Sequence, residues 1–444
     1  MSQDLKARLR RIRDIGEREK PANQFAPAAP NIAPIDKKPG ENSSWTGWTE
    51  AGYKTLKREL IKDIPFSLPH VFPKSLAILI PDIARVGRLP SPGEFIFFDL
   101  ETTGLSGGAG TVAFLAAFGR FVPAVDNNGN ASRASAMPGK ARLAVTQYLL
   151  LDYPGEGDFI GEVVKEFAPL PGDASTGNSL PVMVSYNGKC FDSQILKTRC
   201  LMNGVMIPEY HHIDLLHPSR RLWKHTLPDC SQSTIEVSIL GLDRAGDVPG
   251  ALAPDIWFSF LRSGDNRELL SICDHNVRDI LGMASLFLAL GDIAAEPLKS
   301  GSRYRFDEEA LALFWKRALE KDDESYQRYK KTGERLLEAA ARRGFPRAAY
   351  ALALDYFKKG RGQEARLLLR NIACDVKETI PGSLRAAAYK SLAIDAEWRL
   401  GDVPAALEFT GSALEINGLG SSLRSELEKR RGRLEEKNSD AAAR

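Results

Sequence analysis

The pattern of apolar and polar positions divides the chain into a strand-containing part and a purely helical part. Three apolar stretches of strand length follow one another: FIFFDL, TVAFLAAFGRFV and ARLAVTQYLLLD. Two further strand patterns, PVMVSYN and HHIDLLH, alternate with helical segments, the last of which is the long NRELLSICDHNVRDILGMASLFLAL. Three adjoining strands followed by alternating helices and strands predict an α/β domain with a mixed sheet and flanking helices over 91–292.

The remaining residues, 303–444, show helical periodicity without a strand pattern. Two helical pairs, YALALDYFKKGRGQEARLLLRNIA and YKSLAIDAEWRLGDVPAALEFTGSAL, resemble each other at an offset of 40 or 41 residues. Each pair has a glycine at its turn, Gly360 or Gly401, and small residues where helices would approach closely. These features predict a tetratricopeptide-like all-α repeat domain, with an irregular helical bundle as the alternative. Because repeat stacks bury apolar surface among themselves, we expect this domain to fold independently of the sheet.

The first ninety residues give weaker signals. Residues 1–50 begin with a basic amphipathic stretch and continue with a segment rich in proline, alanine and asparagine, which predicts a disordered tail and linker. The basic stretch either touches a nucleic acid or protein partner or is a solvated helix. Residues 51–90 are interpreted as a lead-in segment, and 123–140 have the composition of a surface loop.

The amino-acid composition argues against some classes of protein but does not indicate a function. The 444 residues are 43% hydrophobic and 26% charged, as in an average globular protein, which argues against a disordered chain or a fibrous repeat. No run of about 18 apolar residues and no signal peptide is visible, so we expect no membrane partner. Five scattered cysteines without a C-x-x-C motif favour a reducing cytoplasm. A net charge of +3 means that any nucleic-acid contact must come from local patches.

Two carboxylates at the end of the first predicted strand of this domain suggest a cation site. Asp99 and Glu101 are two residues apart, so their side chains point to the same face of the sheet. Like charges repel at this range, and a hard cation such as Mg²⁺ would compensate them. Taken alone, an Asp-x-Glu pair is also common at turns.

Two more acidic elements occur later in the chain. Asp192 lies at a strand-to-helix junction five residues after Asn187, where it is either a ligand or a helix N-cap. His275 and Asp279 are four residues apart on one helix face, where they are either functional or a simple intrahelical pair.

Taken together and in this order, the three elements resemble the exonuclease motifs of the DEDD group of RNase H-like 3′–5′ exonucleases. The segments FFDLETTGLSGGAGTVAFLAAFG, SYNGKCFDSQIL, HHIDLLHPSRRLWK and DVPGALAPDIW are similar to those of the YprB-like branch. The resemblance covers about 91–290 and implies an RNase H-like fold. It further implies a two-metal phosphodiesterase acting on single-stranded DNA or RNA ends.

The resemblance also implies roles for particular residues. Asp99, Glu101, Asp192 and Asp279 match the four acids that bind two divalent cations, Mg²⁺ or Mn²⁺. His275 would be the general base, although it stands at the four-residue spacing that the Tyr-type branch shows for its tyrosine, whereas the His-type branch has five.

Nucleic-acid contacts are expected from two further regions. Thr102, Gly104 and Leu105 begin a glycine-rich loop that either lets the backbone approach a terminal nucleotide or forms a tight turn. Asn187 would orient the nucleotide or the loop that carries Asp192. The residues expected to hold a single-stranded backbone are Arg220, Arg221 and Lys224, which surround Trp223 in a basic and aromatic cluster. The alternative there is a solvated helix with Trp223 packed inward.

Three functions remain open at this point. The first is a divalent-metal-dependent 3′–5′ exonuclease, and the second is a catalytically idle RNase H-like scaffold that binds nucleic acid or protein. The presence of all four acids favours the enzyme. A two-metal endonuclease fits the Asp-x-Glu strand and not the N-x-x-x-F-D element. The helical repeats would hold a protein partner.

Overall fold

A seven-stranded mixed sheet forms the centre of the protein in the computed structural model, which describes residues 45–104, 110–122, 140–168, 180–320, 328–375 and 379–442. Residues 43–444 form one structural unit. Residues 1–44 of the predicted tail 1–50 and residues 123–139 of the predicted loop 123–140 lie outside the described residues, whereas 48–50, at the end of the predicted tail, belong to a strand.

The strands are arranged in the order β1-β2-β5-β4-β3-β6-β7. Their bounds are β1 (Trp48–Gly52), β2 (Thr55–Ser67), β3 (Phe95–Thr102), β4 (Ala113–Val122), β5 (Lys140–Leu150), β6 (Val182–Ser185) and β7 (His211–Asp214). The pairs β3·β6 and β6·β7 are parallel, and the other pairs are antiparallel. The mixed sheet predicted from the sequence is therefore confirmed.

The sheet is wider on its N-terminal side than the sequence pattern indicates. β1 and β2 lie in and around the segment interpreted as a lead-in, and β2 pairs along most of its length with β5. β2 carries several charged side chains on exposed positions and buries mainly Leu56, Ile64 and Phe66. Its pattern therefore lacks the regular alternation that identifies a strand.

Helices flank the sheet and follow the strand-to-helix alternation. They are α1 (Leu76–Leu79), α2 (Glu156–Lys165), α3 (Asp192–Met202), α4 (Leu216–Trp223), α5 (Gln232–Ile235), α6 (Ala253–Ser263) and α7 (Arg267–Ala295). α5 continues as a π-helical turn over Glu236–Leu240, and short 3₁₀ turns occupy Pro81–Val86, Pro92–Glu94, Tyr153–Gly155 and Gly250–Leu252. Within the described residues, no helix combines the length and apolar character that a membrane crossing requires.

The long helix α7 is fixed across the sheet by aromatic packing. The ring of Phe287 lies 4.6 Å from that of Phe95 and 5.9 Å from that of Phe97, both on β3, with Phe72 against the same cluster. All four rings are almost completely buried. Because each aromatic side chain buries a large apolar area, this contact fixes the middle of α7 relative to β3.

The C-terminal region consists of helices that pair in sequence order. They are α8 (Gly301–Tyr304), α9 (Glu308–Leu319), α10 (Lys330–Arg342), α11 (Pro346–Lys358), α12 (Gly362–Ala373), α13 (Gly382–Asp395), α14 (Val403–Leu414) and α15 (Ser421–Ala442). A π-helical turn over Ala396–Leu400 extends α13. The two predicted helical pairs are α11·α12 and α13·α14.

The repeat equivalences predicted from the sequence hold in this region. Gly360 and Gly401 both have positive φ angles, +76° and +69°, and each precedes the second helix of its pair. Ala365 and Ala406 occupy matching, fully buried positions on those second helices. Small residues therefore lie where the helices come close, as the repeat interpretation expects.

The sheet part and the first helices of the C-terminal region share one apolar core. Trp223 of α4 is fully buried, and its indole N–H donates to the carbonyl of Tyr304 at 2.8 Å. The side chains of Phe306, Leu311 and Trp315 belong to the same continuous cluster as the core around α7. This continuity does not match the expectation of two independently folding parts, because α8 and α9 cover the surface of α4.

Candidate active site

The end of β3 presents two carboxylates to one face of the sheet. Asp99 and Glu101 keep intermediate exposure, whereas Phe98, Leu100 and Thr102 between and beside them are buried. The alternation predicted from the sequence is therefore present. One oxygen of Asp99 accepts a hydrogen bond of 2.7 Å from the side-chain amide of Asn276 on α7.

Asp192 reaches the same region from the start of α3. It is the first residue of the helix and not its N-cap, which is Phe191, so the capping interpretation does not describe it. The backbone of Gly188 passes close by: a Cβ at that position would lie 2.7 Å from Oδ2 of Asp192 and 2.5 Å from Oγ of Ser185. A residue with a side chain at position 188 would displace the Asp192 carboxylate.

α7 supplies the remaining predicted residues from one turn of helix. Nε2 of His275 lies 3.3 Å from Oδ2 of Asp279, so the intrahelical pair expected from the four-residue spacing is present. Glu101 joins that pair, since one potential ligand atom from each of the three side chains lies within 4.8 Å of the other two. The structure thus brings β3 and α7 together at a cluster of carboxylates and imidazole.

Electrostatic repulsion links Asp99 and Glu101 to the other two predicted acids, Asp192 and Asp279. Burial, followed by repulsion from Asp279, Asp192 and Glu101, raises the pKa of Asp99 well above its usual value. Burial, followed by repulsion from Asp279 and Asp192, raises the pKa of Glu101 in the same way. For Asp192, burial and then the nearby Asp214 raise the pKa to about 7. The carboxylates are therefore close enough to oppose each other's ionisation.

A buried chain of hydrogen bonds holds Asp99 in place. The amide of Gln147 on β5 donates to the side-chain oxygen of Asn276 at 2.9 Å and to the carbonyl of Cys273 at 2.8 Å. Arg58 on β2 in turn donates to the oxygen of Gln147 at 2.6 Å. Gln147 and Asn276 are both fully buried. Because each group is satisfied, Asn276 can present only its N–H to Asp99.

The structure adds charged residues that the sequence interpretation missed. The guanidinium of Arg244 donates to Asp279, to Glu236 and, at 2.9 Å, to Asp247. Asp247 also contributes to the raised pKa of Glu101. Both Arg244 and Asp247 lie in the segment between α5 and α6, where no periodicity marks a residue. A signal was nevertheless available, because Asp247 begins DVPG, one of the segments that resemble the exonuclease family.

Three residues predicted to contact nucleic acid lie close in the sequence to the acids: Thr102 at the end of β3, Gly104 just after it, and Asn187 between β6 and α3. Thr102 ends β3, and its hydroxyl donates to the carbonyl of Gly104 at 2.9 Å. Asn187 is exposed and has a positive φ of 64°, with its backbone N–H donating to Asp214 at 2.8 Å. Asp214 is therefore the residue that supports this loop. Leu105 lies outside the described residues.

The predicted basic cluster lies on α4, at the junction with the helical region. Arg220, Arg221 and Lys224 are exposed, whereas Trp223 is packed inward, as the alternative interpretation expected. The guanidinium of Arg221 lies 4.6 Å from the ring centre of Phe314 on α9. This stacking removes one face of Arg221 from nucleic-acid contact and leaves its edge available.

The residues of the acid cluster fit a divalent cation. Mg²⁺ and Mn²⁺ prefer carboxylate oxygens, and the cluster supplies four carboxylates from β3, α3 and α7. The raised pKa values of Asp99, Glu101 and Asp192 indicate negative charge that the surrounding protein leaves incompletely compensated. Arg244 neutralises part of this charge at Asp279, and a bound cation would neutralise more.

Comparison with known proteins shows that the sheet part is similar to a known family. Residues 96–290, which contain all four acids and His275, match the model of the RNase_H_2 family, described as RNase_H superfamily. The chain is also 30% identical over 276 residues to the "Uncharacterized protein YprB" of Bacillus subtilis (strain 168). That match includes 61% of this chain and spans 58% of the relative's length. The region from 96 to 290 is therefore similar to the RNase H superfamily, and its mixed sheet with flanking helices is RNase H-like.

Proposed function

We propose that the protein is a divalent-metal-dependent 3′–5′ exonuclease that hydrolyses phosphodiester bonds at single-stranded DNA or RNA ends. The observation that carries this proposal is the convergence of four carboxylates from three separate elements, with Asp192 and Asp279 acting on the buried acids Asp99 and Glu101. Such an arrangement costs folding free energy unless a cation occupies it, and a scaffold would have no use for it. The superfamily assignment of residues 96–290 supports the same class of chemistry.

Asp99, Glu101, Asp192 and Asp279 would hold two cations, Mg²⁺ or Mn²⁺. When bound, these cations would supply charge stabilisation at the phosphate and a lowered pKa for the attacking water. Asn276 keeps the Asp99 carboxylate oriented through one N–H of its side-chain amide, and Gly188 gives the Asp192 carboxylate room. The chain thus contributes a fixed set of oxygen donors.

His275 would accept the proton of the attacking water. Its Nε2 faces Asp279 and lies among the atoms shared with Glu101, so a water held by these carboxylates would lie within reach. A neutral imidazole has one nitrogen with a free lone pair, which is the form that acts as a general base.

The single strand would approach the acids past α4 and the loops after β3 and β6. Arg220, Arg221 and Lys224 offer cationic groups to the phosphates, and Thr102, Gly104 and Asn187 border the terminal nucleotide. A protein partner on the helical repeats and a cytoplasmic location complete the proposal. All five cysteines are free thiols, which suits a reducing compartment.

The direction of cleavage provides the decisive test. Purified protein would be incubated with Mn²⁺ or Mg²⁺ and single-stranded DNA or RNA oligonucleotides labelled at the 5′ end. We expect a ladder that shortens one nucleotide at a time, no cleavage in EDTA, and protection of a substrate blocked at its 3′ end. Discrete internal fragments would indicate an endonuclease. Binding without any cleavage under all these conditions would indicate the scaffold.

Metal binding is expected to stabilise the protein more at pH 8 than at pH 6. A carboxyl with a raised folded-state pKa favours folding below its usual value of 3.8, and this contribution is lost as pH rises through about 7 for Asp192. Thermal unfolding in EDTA should therefore show declining stability over this interval. Mn²⁺ at a hundredfold excess over its Kd should add about 2.7 kcal/mol at pH 8 and less at pH 6, where protons compete.

Asp192→Asn provides the matched control for this measurement. It preserves the size of the side chain and removes the titrating charge. The variant should lose most of the pH dependence in EDTA and much of the stabilisation by Mn²⁺. An unchanged response of the variant to Mn²⁺ would show that Asp192 does not take part in metal binding.

A further inference from the structure

The segment between α5 and α6 forms one wall of the acid cluster and has no role in the function proposed above. It contains Arg244 and the DVPG sequence that starts at Asp247. Gly250, the last residue of that sequence, passes so close to His275 that a Cβ there would lie 3.2 Å from Nε2 of the ring. The segment therefore lies close to both ring nitrogens of His275: Gly250 is near Nε2, and Asp247 is near Nδ1.

The Asp247 carboxylate is fixed by interactions at both of its oxygens. Oδ1 accepts hydrogen bonds from Arg278 at 2.9 Å and from the backbone N–H of Val248 at 3.1 Å. Oδ2 accepts a hydrogen bond from Arg244 at 2.9 Å. Burial acts to raise the pKa of Asp247, but His275 and the two guanidinium groups lower it overall. The group is therefore an ionised acceptor whose position does not depend on His275.

The two nitrogens of His275 face different partners. Nδ1 lies 3.0 Å from Oδ2 of Asp247, and Nε2 lies 3.3 Å from Oδ2 of Asp279. Nδ1 is buried, and among the described residues it has no aligned hydrogen-bond partner. Contacts of catalytic groups are often poorly aligned in the empty site and tighten when the site is filled. Asp247 is therefore the acceptor in place for a proton on Nδ1.

We propose that Asp247 is a positioning residue that accepts the Nδ1–H of His275 and so directs the lone pair of Nε2 toward the carboxylate cluster. The proposal rests on the nuclease function proposed above for its catalytic consequence. What it states about the structure is which ring nitrogen of His275 carries the proton. This statement does not depend on the nuclease function. The arrangement follows the general rule that the partner of one ring nitrogen decides which nitrogen carries the proton.

The tautomer can be measured directly by NMR on metal-free protein labelled with ¹⁵N-histidine. At pH 8.5, about two units above the usual histidine pKa, the two ring nitrogens of a neutral imidazole give distinct shifts. His275→Ala identifies the signals by their disappearance. We expect the Nδ1–H tautomer for His275 in the wild-type protein, and a shift toward Nε2–H in Asp247→Ala. An Nε2–H tautomer in the wild-type protein would overturn the proposal, whether or not the protein cleaves nucleic acid.

Kinetics separate a positioning role from a merely structural one. Asp247→Ala should lower kcat by about 10²–10⁴ with KM little changed, because it removes the orientation of the base. The double variant Asp247→Ala/His275→Ala should be no slower than His275→Ala alone, since Asp247 acts through the histidine. Asp243→Ala, in the same segment but exposed, should keep wild-type kinetics.

Additive losses in the double variant would contradict the proposal, as would an Asp247→Ala protein with wild-type kcat. Asp247→Asn serves as a second variant if Asp247→Ala does not fold, because it preserves the size of the side chain and removes its charge. A wild-type protein without any cleavage would refute the nuclease function, and the NMR result would then decide the proposal alone.

Discussion

Asp99→Asn is expected to lower the rate of phosphodiester cleavage by about 10³-fold or more. Burial and then repulsion from Asp279, Asp192 and Glu101 raise the pKa of Asp99, so each of the other three acids acts on this carboxylate. Loss of several kcal/mol of metal-dependent charge stabilisation corresponds to a decrease of this size. The variant should still fold, since an asparagine oxygen can accept the N–H of Asn276 that Asp99 now accepts.

The same substitution should raise the melting temperature of the metal-free protein at pH 8. It removes a buried charge that Asp279, Asp192 and Glu101 repel, so stability and activity are expected to change in opposite directions. The measurements are single-turnover cleavage, Mn²⁺ titration calorimetry and thermal unfolding in EDTA. Glu50→Gln is the control, because Glu50 is an exposed carboxylate on β1. If Asp99→Asn retained wild-type cleavage and Mn²⁺ affinity, the four-acid site would have to be abandoned.

A fragment ending at Ser300 is expected to be unfolded or aggregated. It lacks Tyr304, Phe306, Leu311 and Trp315, which lie in the same apolar core as Trp223 and α7. Each fully buried side chain of this kind contributes about 1.5–3 kcal/mol. Their combined loss is comparable to the whole stability of a typical domain, about 5–15 kcal/mol.

A longer fragment ending at Glu320 tests whether the loss of α8 and α9 is what prevents the shorter fragment from folding. This fragment retains the two helices that cover α4, including the hydrogen bond from Trp223 to Tyr304. It should show more far-ultraviolet circular dichroism and less aggregation in gel filtration than the fragment ending at Ser300. A monomeric fragment ending at Ser300 that melts cooperatively like the full chain would show that the contacts across α4 add little to stability.

The site residues that could be predicted from the sequence are those that lie on a regular strand or helix. Asp99 and Glu101 follow an apolar strand, and the alternation of a strand shows that both face one side. His275 and Asp279 lie on a helix whose period places them together. On a strand or a helix, the spacing of two residues in the sequence therefore predicts whether their side chains point in the same direction.

Residues outside regular patterns could not be placed from the sequence. Arg244 and Asp247 lie in an irregular segment, whose path is determined by contacts with Glu236, Asp279 and Arg278. β2 was not predicted as a strand because its exposed charged side chains interrupt the alternation of apolar and polar positions. Its backbone pairing with β5 holds it in the sheet. The apolar core shared across the predicted domains 91–292 and 303–444 could not be foreseen for a similar reason, since nothing in the sequence pairs Trp223 with Tyr304.

The hydrogen bond between Asn276 and Asp99 joins residues 177 positions apart in the chain. Since a growing chain folds as it leaves the ribosome, β3 exists long before α7 is made. The acids of β3 and α3 can then neither be oriented by Asn276 nor be joined by Asp279. Under the proposed nuclease function, a nascent chain would therefore be unable to cleave nucleic acid, including the messenger being translated, until α7 has emerged and docked on the sheet.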